Sequence, residues 1–351
     1  MKNLKRIQWI LLVLALQVAA LGCIAAKREW IMNRGETVYL RTAPVDPRDL
    51  FRGDYVQLEY EISQPDRSLV PVDLSGKTYQ PVYLLLQRDD RGVADLAGIS
   101  LEKPAGLFIR GRIDRNWRSR GDNSLVKLGI EKYFVEQGSG LALEEQRGRG
   151  EGWQTPMEMQ VALGTDGTAV IKGYRWSDLG VRLEVLEAGR NPNAAPPAQG
   201  DNNATAAPVE RQSPKLRISL RNQSNHAMRI VDSAEHCAFN LVENRYDPEL
   251  YGQSYDPIAI PRRKCDTSTQ WQEHVLQPQE TYSVEIDMAE EQWRIVLNDQ
   301  ELAIGEQTNN WNGFRWLYRL PADTGFRYAA QPDVWLSPIR TARFTAGGRI
   351  D

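Results

Sequence analysis

The sequence predicts a mainly β protein tethered by one N-terminal transmembrane helix, with a compact β-barrel or sandwich domain followed by an immunoglobulin-like β-sandwich domain. Three observations predict it. An apolar run free of charge opens the chain. Short segments with strand-like alternation recur through the rest, separated by turn residues. Residues 188–214, rich in Ala, Pro, Asn and Gly and without helix or strand period, divide those segments into two groups.

The run is Ile7–Ala26, twenty residues without a charge. As a helix it spans roughly 30 Å, the thickness of a hydrocarbon core. The apolar centre of a cleavable signal is shorter, about 7–15 residues. Lys2, Lys5 and Arg6 precede the run; Lys27 and Arg28 follow, offset by Glu29. That bias favours an N-terminus in the cytoplasm. Residues 1–27 are read as cytoplasmic tip and anchor, and the bulk of the chain is placed on the periplasmic side of an inner membrane. "ALGC" at Ala20–Cys23 also has the form of a lipobox, so lipidation of Cys23 is an alternative tether.

Residues 28–187 form the first expected domain. Its strand candidates are 37–42, 55–62, 79–87, 106–113 and 124–135, then a hairpin over 157–176 turning at Thr165-Asp166-Gly167. Residues 180–187 are expected to close its sheet, and 140–148 to form a short helix ended by Gly148. Residues 215–351 form the second, with candidates at 215–224, 237–244, 281–288, 292–299 and 335–346. Two cysteines fall in this part, Cys237 and Cys265. Outside the cytoplasm such a pair is expected to form a disulfide.

"PVDPRDLFRGDYVQLEYEI", Pro44–Ile62, packs seven acidic or basic residues into nineteen and runs into a strand pattern. Asp46 suits a helix N-cap, Pro47 the first helical position, and Asp49 the positive end of the helix. Gly53 suits the stop. Arg48, Arg52 and Asp54 complete the charged turn. In the following strand Val56, Leu58, Tyr60 and Ile62 face one way, and Tyr55, Gln57, Glu59 and Glu61 are expected to face solvent.

"GDYVQLEY" at Gly53–Tyr60 resembles the motif of the GDYxxLxY family of bacterial membrane-anchored proteins of unknown function. The likeness extends through 35–52, "LFIRGRI" (107–113) and "GIEKYFVEQGSG" (129–140), the latter similar to a second signature holding Glu131 and Tyr133. It covers the anchor and first domain only. The resemblance implies a single membrane helix, an exported β-rich domain and companionship with a multi-pass membrane protein. It implies no catalytic residue.

The chemistry visible in the sequence is sparse. Asp46, Asp49, Asp54 and Glu131 would make an acidic cluster able to bind Ca²⁺ or to serve acid/base chemistry in an envelope hydrolase. Their spacing matches no calcium loop, and Arg48 and Arg52 stand among them. The three histidines, His226, His236 and His274, lack metal-ligand spacing. The first domain has no histidine, which excludes a Ser–His–Asp triad confined to it. A net charge of −3 gives no electrostatic case for nucleic acid. The sequence therefore favours an accessory or binding protein with no catalytic residue, metal or cofactor, docking on its membrane partner through residues 46–60 and the second signature.

Overall fold

The computed structural model of the chain describes residues 2–42, 55–63, 65, 80–113, 126–136, 140–148, 150–189, 212–244, 258–259, 265–266, 268–297, 300–304, 313–329, 331 and 333–350. It is mainly β, with an N-terminal apolar helix and several antiparallel sheets. Among the described residues no closed barrel forms, which leaves the sandwich of the two arrangements expected for the first part.

Helix α1 runs without interruption over Lys2–Arg34, past both ends of the expected apolar span. Its residues from Gln8 to Trp30 are exposed. By length and composition it is the one helix among the described residues able to cross a membrane. The helix enters strand β1 (Glu36–Arg41) through a single residue, Gly35. Gly35 N–H donates to the Ile31 carbonyl at 2.7 Å. A Cβ at this position would stand 2.5 Å from the Ile31 oxygen and 2.8 Å from the Leu163 oxygen, both backbone atoms, so only glycine fits unshifted.

The expected hairpin is present. Strands β8 (Met157–Leu163) and β9 (Ala169–Trp176) pair antiparallel, and β8 also pairs with β1 from Glu36↔Leu163 to Arg41↔Glu158. The turn closes through Gly167, whose φ of 78° needs a residue without a Cβ. This hairpin grips the end of α1. Ile31 is buried against Ala162 and Val170, and Lys27 Nζ meets Asp166 Oδ2 at 2.7 Å.

A second sheet has the order β4-β3-β5-β6, built from Ala94–Ser100, Pro81–Arg88, Phe108–Ile113 and Val126–Lys127. A third pairs β2 (Tyr55–Gln57) with β7 (Lys132–Phe134). Helix α2, Gly140–Arg147, stops at Gly148, whose φ is 75°. These elements enclose one core containing Val38, Leu40, Leu58, Tyr60, Leu84, Ile109, Met159 and Val161.

Strand β10 (Leu179–Glu187) corrects the sequence reading. It does not close the first sheet. It pairs with β11 (Lys215–Asn222), which pairs in turn with β16 (Thr281–Asp287). Its side chains Leu179, Val181 and Leu183 belong to the second core. Most of the expected linker, residues 190–211, lies outside the described residues. Its ends stand side by side: Lys215 Nζ is 3.1 Å from Glu187 Oε1.

Around that sheet lie three small ones. Strand β12 (Met228–Ser233) pairs with β15 (Trp271–Leu276); β13 (Phe239–Asn244) pairs with β19 (Gly313–Tyr318); β14 (Ile258–Ala259), β17 (Arg294–Leu297) and β18 (Gln300–Ala303) form the third. Short strands β20 (Ile339–Arg340) and β21 (Phe344–Thr345) add to β19, and helix α3 spans Ala322–Tyr328. The expected long strand at 335–346 is thus two short pieces. Aromatic rings fill this core: Trp293 meets Trp316 edge to face at 4.7 Å, and Phe239 meets Tyr318 at 5.4 Å. Cys237 and Cys265 form the disulfide.

Candidate functional site

The two signature segments are partners in one ladder. Tyr55 pairs with Phe134, Val56 with Tyr133 and Gln57 with Lys132. The chains then continue together: Leu58 N–H donates to the Glu131 carbonyl at 2.8 Å, and the Tyr60 hydroxyl donates to the Ile130 carbonyl at 2.8 Å. Leu58 and Tyr60 are wholly buried. The spacing of Leu and Tyr in the motif is therefore a packing rule, with one hydroxyl satisfying a buried carbonyl of the second signature. Burial, reinforced by the nearby Glu131 charge, holds the Tyr60 phenol far above its ordinary range, so it remains a donor.

Glu131 holds a turn. Its carboxylate accepts from Leu128 N–H at 2.5 Å and from Gly129 N–H at 3.1 Å, and Gly129 takes a φ of 81°. These bonds fix the carboxylate against the backbone of the turn. Asp46, Arg48, Asp49, Arg52, Gly53 and Asp54 lie outside the described residues, as does the side chain of Tyr55. Among the described residues no group of three His, Cys, Asp or Glu is placed to hold a metal ion.

The far side of the motif departs from expectation. Glu59 and Glu61 do not face water; they are 3% and 8% exposed. Past Gln57 the strand ends, Tyr60 bridges to Thr42, and Glu61–Ser63 make one turn of 3-10 helix. This turns Glu61 toward Arg41 at 3.6 Å and Arg340 of β20 at 3.3 Å. Strict alternation in the sequence concealed this, because both faces are covered: one by the first core, the other by the C-terminal elements.

Glu61 belongs to a buried layer of charge between the two cores. Glu158, with no exposed surface, receives Arg175 at 2.7 Å, Arg91 at 3.1 Å and Arg41 at 3.8 Å. Burial alone would raise the Glu158 carboxyl, but Arg91, Arg41 and Arg175 outweigh it and hold it below the ordinary range. Burial acts on Arg41 in the opposite sense, yet Glu61, Asp95 and Glu158 keep its guanidinium above its usual value. Asp95 is raised by burial, with Arg41 opposing. Arg315 on β19 is pushed down to about 10 by burial and by Arg340, and is still charged at neutral pH.

Arg91 ties the layer together. It reaches Asp178 at 2.9 Å and stacks 4.2 Å over the Trp335 ring, while neighbouring Asp89 accepts from the Ser337 hydroxyl. Arg175 lies 3.7 Å over Tyr39. No sequence motif marked these residues. The available signal was charge inside otherwise apolar strands, as at Arg41 and Glu158.

An aromatic strip borders the paired signatures. Tyr174 meets Tyr133 at 5.8 Å and Trp176 at 6.0 Å, both edge to face. Phe134 is 73% exposed. Desolvation, with Tyr174 nearby, raises the Tyr133 phenol. On the second core, His236 takes a φ of 56° and its Nδ1 lies 2.9 Å from buried Asp232, which also accepts from Tyr282 at 3.0 Å. Cys23 is exposed, within the apolar length of α1.

No curated protein and no solved structure matches the chain. A family described as GDYXXLXY protein matches residues 17–173. That range takes in the later part of α1, both paired signatures and β9 as far as Gly173. Residues 17–173 thus resemble the GDYXXLXY family over less than half of the chain, and the two signature segments inside that range are the two strands of one ladder.

Proposed function

We propose that this protein is a membrane-anchored accessory protein whose exported body docks on a multi-pass membrane protein. The observation that carries the reading is α1: its apolar side chains from Trp9 to Ile24 are exposed, and it joins the first core without a spacer. Such a helix needs a bilayer to cover it. The excess of Lys2, Lys5 and Arg6 before the span supports a periplasmic body at the inner membrane. The docking surface is the aromatic strip of Tyr133, Tyr174 and Trp176, with the exposed Phe134 next along β7. Aromatic side chains dominate the energetics of contact surfaces, and ordinary surfaces seldom present them together.

The test is a photocrosslinking amino acid placed in living cells at Phe134, at Tyr174 and, for comparison, at Thr281 on the second core. The expected result is one adduct from the first two positions, identified by mass spectrometry as a chain with several membrane spans. Equal labelling from all three positions, or adducts with lipid only, would refute the docking surface. A periplasm-dependent reporter fused after Asp351 should be active; activity confined to a cytoplasmic reporter would refute the orientation.

A further inference from the structure

The junction between α1 and the β8–β9 hairpin fixes how far the first core stands from the bilayer. Trp9 and Trp30 are separated by twenty-one residues of unbroken helix. At 1.5 Å per residue that is roughly 31 Å, the span between the two aromatic belts of a bilayer. Trp30 is exposed, and Arg34 lies 4.9 Å over its ring. The hairpin does not stay above that level. It runs back along the last turns of α1: Leu163 sits at Gly35, Ala162 and Val170 at Ile31, and Asp166 at Lys27. Lys27 precedes Trp30 by three residues, so the hairpin tip lies about 4–5 Å further into the membrane than the ring.

A second loop shares this depth. Arg110 N–H donates to the Gly167 carbonyl at 2.9 Å, and a Cβ on Gly167 would strike the Phe108 ring at 2.8 Å. Lys103 Nζ stands 5.8 Å from that same ring. The loop at 101–107 is thereby held beside the hairpin tip. Arg28, Lys103 and Arg110 are exposed around it. Among the described residues, Asp166 is the counter-ion of Lys27.

We infer that the hairpin tip at 164–168 and the loop at 101–107 are seated in the phospholipid headgroup layer, with Arg28 and Lys103 facing lipid phosphates. The inference rests on the membrane anchor proposed above and adds the surface by which the body meets the lipid. Phosphate is the complementary group: exposed cations at headgroup depth, on a rigid support, gain from anionic oxygens.

The test uses the full chain with Cys23→Ser, carrying a nitroxide on Thr165→Cys, Lys103→Cys or Thr281→Cys. The protein is reconstituted in phosphatidylcholine vesicles, with or without phosphatidylglycerol. Collision with oxygen and with a water-soluble nickel chelate reads depth. Labels at 165 and 103 should be several-fold less accessible to nickel than the label at 281. Protection in both lipids assigns the shared phosphate; protection only with phosphatidylglycerol assigns the anionic lipid. If 165 and 103 match 281 while the protein resists carbonate extraction, the seating is wrong and the anchor stands. If carbonate strips the protein from the vesicles, the anchor reading itself fails.

Discussion

Arg340 and Glu61 meet at 3.3 Å, the first on a strand of the C-terminal core, the second one residue beyond the family motif. The pair joins two sequence regions that share no hydrophobic core. It places Glu61 against the chain's own C-terminal elements, so this face is covered from within.

Tyr60→Phe should isolate the link between the two signatures. The ring remains and only the hydroxyl to the Ile130 carbonyl is lost. An unpaired buried carbonyl costs about 1–3 kcal/mol. Tyr60→Ala adds a cavity at a site without exposed surface and should cost about 3–5 kcal/mol. Denaturant midpoints of the detergent-solubilised full chain check both values. A wild-type midpoint for Tyr60→Phe would mean that the hydroxyl does not matter.

Glu158→Gln should be costly at neutral pH. Three guanidiniums lose their shared counter-charge in a buried site, a change on the order of 3–5 kcal/mol. The effect depends on pH. The folded carboxyl titrates below its ordinary 4.5, so its contribution is complete above that value and drains as pH falls through the folded one. Asp95, raised by burial, works in the opposite sense and loses its contribution as pH rises through its folded value. Midpoints from pH 7 to pH 3 should therefore fall more steeply for the wild type than for Glu158→Gln. Parallel curves would contradict the charge layer.

Reduction of Cys237–Cys265 should lower stability by about 3–4 kcal/mol, since the loop it closes is of moderate length. The check is the midpoint with and without reductant. Alkylation of the unreduced, unfolded chain followed by mass mapping should modify Cys23 alone. Modification of all three cysteines in protein taken directly from cells would place this core in a reducing compartment.

Gly35→Ala should loosen the joint between anchor and body. The added methyl meets two backbone carbonyls that cannot move independently, an overpacking cost of about 1–3 kcal/mol. The specific readout is trypsin cleavage after Arg34, which should become faster in liposomes. Unchanged cleavage would mean that helix and hairpin are not in register as described.

Much of this architecture was legible where local rules govern. The apolar run at 7–26, the hairpin over 157–176 and the helix ended by Gly148 follow from composition, turn chemistry and backbone freedom. Val56, Leu58, Tyr60 and Ile62 were recognisable as one inward face, and all four are buried. What failed depends on distant chain. Nothing local to 179–187 says that its partner is β11 rather than β9. Glu59 and Glu61 alternate like solvent-facing residues, and only the approach of Arg340 and the second core turns them inward. The Arg41–Glu158 layer joins residues far apart in sequence, and no spacing marks it.

The absence of a hinge between α1 and β1 has a mechanical result. A membrane helix adjusts to bilayer thickness by leaning. Here the lean is not absorbed by slack chain, because Ile31 and Lys27 are clasped by the hairpin. With α1 in a bilayer as proposed, the body would swing with its stalk, like a signpost set in shifting ground, and lipid composition would set its tilt.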